Sequence, residues 1–151
     1  MTEMKETPVK KFLLSLTLIL VTTALAYAHS ALNRFWGEVP VDMLLSGDVL
    51  VVKTLVVPEG VTLTIEPGTV VRFEKSRDGG NRIIVKGRLM SVGTKDKPIR
   101  FIPKDGKSGP WFGVEFQGGG TGRVERCSFE GASAGIVDPA KKASVKDSTF
   151  R

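Results

Sequence analysis

From residue 46 onward the apolar positions fall in short alternating runs, separated by Gly, Pro, Asp and Ser. The runs are DVLVV (48–52), VTLTI (61–65), TVVRF (69–73), RIIVKG (82–87), PIRF (98–101), WFGVEF (111–116), RVERCSF (123–129) and SVKDSTF (144–150). Alternation over four to seven residues, rich in Val, Ile and Phe and closed by turn formers, predicts strands with one buried face, whereas a helical 3.6-residue period is hard to find. The pattern turns Val61, Leu63 and Ile65 inward together. It sets Val71 and Phe73 inward with Arg72 outward, and Ile99 and Phe101 inward with Arg100 outward.

The runs also resemble one another. VERCSF at 124–129 recurs as VKDSTF at 145–150, so Val124, Cys127 and Phe129 map onto Val145, Ser148 and Phe150. LTIEPGTVVRF (63–73) resembles LMSVGTKDKPIRF (89–101): each has a leucine, a Gly-Thr turn and an aliphatic-Arg-Phe ending, the second lengthened by Lys95-Asp96-Lys97. A repeat of strand and turn alone, near 21–28 residues and without Asn-Gly hairpin signals, predicts turns of chain stacked on one another rather than a meander. One such turn cannot bury its inward side chains, but a stack buries them in a continuous column.

Ahead of the strands, residues 1–11 end in Lys10-Lys11, an uncharged run FLLSLTLILVTTALA covers 12–26, and Ala26-Tyr27-Ala28 has the small-x-small form of a signal-peptidase site. These three parts describe a secretory leader cut between Ala28 and His29. The run is shorter than the roughly 20 apolar residues that span a bilayer and is diluted by Ser15, Thr17, Thr22 and Thr23, so no stable membrane anchor is expected. The mature chain is then His29 to Arg151, with 29–48 as a cap or irregular first coil and 49–151 as repeats.

Composition sharpens this picture. The 151 residues carry 22 Lys plus Arg against 16 Asp plus Glu, a formal net charge of +6. Removing three lysines and two glutamates with the leader leaves 19 against 14, still basic. On an exported protein that balance favours anionic envelope or matrix polymers as partners over nucleic acid. One Cys and one His in the chain exclude an intrachain disulfide framework and argue against a structural zinc site.

VPEGVTLTIEPGTVVRF, GRLMSVGTKDKPIRF, GPWFGVEF and VERCSFEGASAGI together resemble the right-handed parallel β-helix of the pectin-lyase-like superfamily, in its secreted bacterial and archaeal form. The resemblance covers about residues 36–151. It implies an all-β, single-stranded solenoid of about five to six coils. It implies little about activity, because that superfamily holds lyases, hydrolases, epimerases, adhesins and inert modules.

Enzymes of that superfamily draw on clustered aspartates, for calcium or as acid and base. Here the mature aspartates (42, 48, 78, 96, 105, 138 and 147) form no adjacent pair, and no histidine lies inside the repeats. Glu125 and Arg126 fall one repeat from Lys146 and Asp147, which makes ion-pair ladders rather than a carboxylate dyad. His29 at a new N-terminus would need a second histidine to chelate copper, and there is none. QGGGTGR (117–123) lacks the following helix of a phosphate loop and reads as a turn; Gly106-Lys107-Ser108 lacks the earlier glycine of one. Cys127, inward beside Phe129, reads as core. No catalytic residue, metal or cofactor is expected.

Binding is the remaining chemistry. Trp36, Trp111 and Phe112 lie near turns, and Lys75, Arg77, Arg82, Lys95, Lys97, Lys104 and Lys107 fall in the three longest predicted loops. Gathered on one side, aromatic faces for sugar rings and cations for carboxylates or sulfates suit an acidic glycan. The competing reading has Trp36 capping the first coil, Trp111 filling a bend and the lysines solubilising loops. The last strand runs to Phe150-Arg151 with no covering segment after it, so end-to-end self-association, docking on another protein, or a longer reading frame all remain open.

The expectation is thus a secreted, non-catalytic module with a structural or surface-binding role, set against a truncated or degenerate polysaccharide lyase or hydrolase, or a self-assembling structural unit. Intact mass of protein recovered from the secreting cell is expected to begin at His29; a chain still starting at Met1 would refute the cleaved leader.

Overall fold

The structure, a computed structural model, describes residues 32–76, 78, 80–106 and 111–151. The leader, the cleavage point at Ala28 and His29, and Arg77 and Lys107 lie outside the described residues. All regular structure among the described residues is strand, and none of it is helix.

The strands fall into three lines that the chain visits in fixed rotation. The first line is β2 (Met43–Leu45), β4 (Thr62–Ile65), β7 (Arg88–Val92), β10 (Thr121–Glu125) and β13 (Ala143–Lys146), which form one five-stranded sheet. The second is the front half of β3 (Asp48–Val57), then β5 (Val70–Phe73), β8 (Ile99–Pro103), β11 (Cys127–Phe129) and β14 (Thr149–Phe150). The third is the back half of β3, then β6 (Asn81–Val85), β9 (Trp111–Phe116) and β12 (Ala132–Val137). β1 (Asn33–Glu38) runs beside β3 and, with the second and third lines, completes a nine-stranded sheet. Every pairing is parallel. Parallel neighbours need a crossover between them, and here the other two lines supply it.

Backbone groups at the corners continue the ladder. Glu66 N donates to Leu45 O at 3.0 Å, Gly93 N to Glu125 O at 2.8 Å and Lys104 N to Phe73 O at 2.8 Å. The corner from the first line to the second is tight late in the chain, and there Arg126 and Asp147 take φ near +48°. RVERCSF and SVKDSTF, each a single strand by alternation, therefore break into two: β10 with β11, and β13 with β14. The inward residues Val124 and Cys127 are three apart, and this odd step marks the corner at Arg126.

The inward side chains meet in one core. Leu63 lies opposite Leu89, Ile83 opposite Val114, and Val85 opposite Phe116, all buried. Phe101 and Phe129 stack at 4.5 Å between ring centroids and Phe129 and Phe150 at 5.0 Å, close to the spacing between strands. Phe73 stacks on Trp111 at 4.1 Å, and Trp111 lies 6.4 Å from Phe129, which joins the aromatic rings of two lines. QGGGTGR makes the turn into β10 and part of that strand. Gly118 has φ +57°, and a Cβ on Gly120 would stand 2.1 Å from Val85 O, so a side chain there cannot fit.

The register confirms the 21-residue repeat, since Val124 faces Val145 and Phe129 faces Phe150. It corrects the earlier one. Leu63 does face Leu89, but Val71, not Phe73, faces Phe101, and Phe73 faces Pro103. A two-residue shift keeps the same face inward, so the hydrophobic pattern cannot detect it. Packing sets it: Phe73 stacks on Trp111, and Phe101 on Phe129. The spacing between facing residues also ranges more widely than the repeats suggest, from 16 residues (Asn33 opposite Val49) to 33 (Arg88 opposite Thr121).

Phe129 touches rings on three sides. Phe129→Ala is expected to cost about 3–5 kcal/mol in urea unfolding, and a loss below about 1 kcal/mol would contradict this account of the core.

Candidate functional site

The corners between the second and third lines lie one above another. They are the irregularity between Phe35 and Gly37 in β1, residues 52–54 within β3, the described residues of the 74–80 loop between β5 and β6, and residues 104–106 after β8. Beside the first three of these runs a groove of about 730 Å³, lined by Trp36 and Gly37, Val52, Lys53 and Thr54, Lys75, Ser76, Asp78, Gly80, Asn81 and Arg82.

Asn81 builds its floor. It is 6% exposed, and its Nδ2 donates to Val52 O at 3.1 Å and to Glu74 O at 2.6 Å. One amide thereby ties the 74–80 loop to the bend of the preceding level. Trp36 is 61% exposed beside it. Lys53 and Lys75 make no ion pair among the described residues, so their ammonium groups face solvent uncompensated.

Of the described residues selected from sequence, the structure brings together Trp36, Lys75 and Arg82 in the groove and sets Phe112 against Arg82, while Trp111 and Lys104 lie elsewhere. Arg82 belongs to β6 and not to a loop. Its Nη1 is 3.0 Å from Glu115 Oε2, and its guanidinium lies 4.1 Å over the Phe112 ring. A register shift opposite Asn81 and Arg82 leaves Phe112 unpaired at this point of the ladder. Trp111 is 1% exposed and donates from Nε1 to Glu130 O at 2.9 Å, so as a core residue it has no free ring face for a sugar.

Lys104 sits at the next corner with its Nζ 2.8 Å from Glu74 Oε1, and Arg34 approaches the same carboxylate at 3.8 Å. The Lys104 hydrogen bond is the main cause that lowers the Glu74 pKa. Glu115 is lowered as well, first by a hydrogen bond from Gln117 and then by Arg82. Lys95 and Lys97 belong to a different corner, in a tight turn where Lys97 N donates to Thr94 Oγ1 at 3.0 Å. Arg77 and Lys107 lie outside the described residues.

Lys53 and Asn81 were not singled out by the sequence reading. The signal for Lys53 is the polar Lys53-Thr54 pair inside the apolar run 49–57, which marks a bend within one long strand. Asn81 carries no such signal, because its partners are carbonyls 29 and 7 residues away.

The remaining candidates are structural. Cys127 is 2% exposed, its Sγ lies 3.3 Å from Ser91 Oγ, and burial raises its pKa, so the thiol is held protonated in the core. Glu125 faces Lys146 in register but is held by Arg123 at 2.9 Å, while Arg126 and Asp147 approach to 3.5 Å. Among the described residues, no three of His, Cys, Asp and Glu gather in a group that could hold a metal ion.

Comparison of the chain with known protein families, with curated proteins and with solved structures finds no match in any of the three.

Asn81→Ala deletes both bridging hydrogen bonds and strands two carbonyls, and is expected to cost about 1–3 kcal/mol in urea unfolding. No change would mean that Asn81 does not hold the groove together.

Proposed function

We propose that this protein is an exported, non-catalytic parallel β-helix module of the pectin-lyase-like type that holds an acidic polysaccharide in the groove beside Trp36. The fold reading draws support from the fixed rotation through three parallel lines, each five or more strands deep when β1 is counted. A strand-crossover-strand unit of parallel strands is almost always right-handed, which gives the winding its hand. Export rests on the leader pattern of residues 1–28.

The observation that carries the binding role is the exposed Trp36 ring in one groove with Lys53 and Lys75, which make no ion pair among the described residues. An indole face takes a sugar ring, and two ammonium groups take carboxylates or sulfates along the same chain. Asp78 also lines the groove and lowers its net positive charge. The non-catalytic part rests on the state of the carboxylates nearby. Glu74 and Glu115 are held ionised by Lys104, Gln117 and Arg82, whereas a general acid for glycosidic cleavage must carry a proton at working pH.

The test is binding of polygalacturonate or alginate against a neutral glucan, by calorimetry. Uronate polymers are expected to bind and the neutral polymer not, with affinity falling as salt rises. Trp36→Ala and the double variant Lys53→Glu/Lys75→Glu are each expected to weaken binding at least about tenfold, equivalent to about 1.4 kcal/mol. Wild-type affinity in both variants would refute the groove as the site, and release of shortened polymer would refute the non-catalytic assignment.

A further inference from the structure

Among the described residues the large apolar side chains with substantial exposure are Leu32, Trp36, Val41, Leu44, Val145 and Phe150. All of them lie at the two ends of the strand lines and none between. The first four sit on or beside β1 and β2, the opening strands; Val145 and Phe150 sit on β13 and β14, the closing ones. Val145 and Phe150 hold the same register positions as Val124 and Phe129, which are 0% and 1% exposed, yet are themselves 41% and 50% exposed. The difference is that, among the described residues, no strand pairs with the far side of β13 or β14. Among the described residues both ends also present unpaired edges, and β12 (ASAGIV) carries neither a charge nor a proline to discourage pairing.

Two arrangements of a second copy would cover these ends, and charge separates them. Residues 138–151 hold Lys141, Lys142, Lys146 and Arg151 against Asp138 and Asp147, and Asp147 is already taken up by Arg126. Residues 32–46 hold Glu38 and Asp42 against Arg34. Tail against tail sets basic edge on basic edge and makes the strands antiparallel. Head to tail sets a basic edge on an acidic one and keeps the parallel pairing used throughout the molecule.

We propose that this chain binds a second copy of itself head to tail, the β12–β14 edge of one copy on the β1–β2 edge of the next. Such a contact is heterologous and does not close, so it builds short linear chains whose length rises with concentration. The head end shares Trp36 with the glycan groove, so the test uses Leu44 and Phe150, which do not line that groove.

Sedimentation velocity of the protein as processed by the secreting cell is expected to show mass rising with concentration. Phe150→Asp spoils the tail and Leu44→Asp spoils the head, so each variant alone is expected to associate at least about tenfold more weakly than the parent. Mixed one to one, the two variants are expected to form heterodimers and nothing larger, because one keeps a working head and the other a working tail. Dimer formation in the mixture also shows that both variants are folded. Should either lose the parent's far-ultraviolet circular dichroism, Val145→Lys and Val41→Lys take their places. A parent that stays monomeric, a Leu44→Asp variant that self-associates like the parent, or a mixture of folded variants that stays monomeric would each overturn the proposal.

Discussion

The structure depends on one constraint: each strand finds its parallel partner only after the chain has passed through two other lines of strands. No hairpin shortens the trip, so no segment is stable before its neighbour a full circuit away is in place. The column of inward side chains is the reward for that long-range pairing. Phe101, Phe129 and Phe150 show its geometry most plainly, because ring separations of 4.5 and 5.0 Å are close to the distance between hydrogen-bonded strands. Like stacks on like because the backbone ladder sets the spacing and flat rings fill it.

That constraint leaves the corners as the place where the chain varies. Strand positions must match their neighbours above and below, whereas corners need only return the chain to the next line in register. Two tight corners are made by Arg126 and Asp147 in left-handed conformation, while the 74–80 loop is long and is bound back by Asn81. The groove beside Trp36 is a product of this freedom. It forms where an irregularity in β1, a bend in β3 and a long loop come to lie at successive levels of one corner.

The outward faces carry charge in pairs that cross from one level to another. Arg72 reaches Asp48, Arg82 reaches Glu115, Arg100 reaches Glu130 and Lys104 reaches Glu74. Pairs of this kind are mostly exposed and add little stability one at a time. Their clearer effect is on chemistry at Glu74 and Glu115, whose pKa values are lowered and which therefore make poor proton donors. Lys53 and Lys75 stand outside this network, as do Lys86, Lys95 and Lys97 among others, but they share a groove with Trp36, which is why the binding proposal rests on them.

The sequence by itself determined that the regular structure of the described residues is strand, which side chains turn inward, and that residues 124–129 and 145–150 lie one above the other. Those follow from a period of two and from a repeat without insertions, both of which are local. It also picked out Trp36, Lys75 and Arg82 as binding candidates, though from their proximity to turns and not from any view of their neighbours. Only the tertiary structure decided that Val71 and not Phe73 lies over Phe101, because a two-residue slip leaves the inward pattern unchanged and the choice falls to ring packing. Only the tertiary structure removed Trp111 from the binding set, by enclosing its ring between Phe73 and Phe129, and joined Lys53 and Asn81 to Trp36. Those relations span levels of the stack whose separation along the chain changes with every corner, so no fixed spacing in the sequence records them.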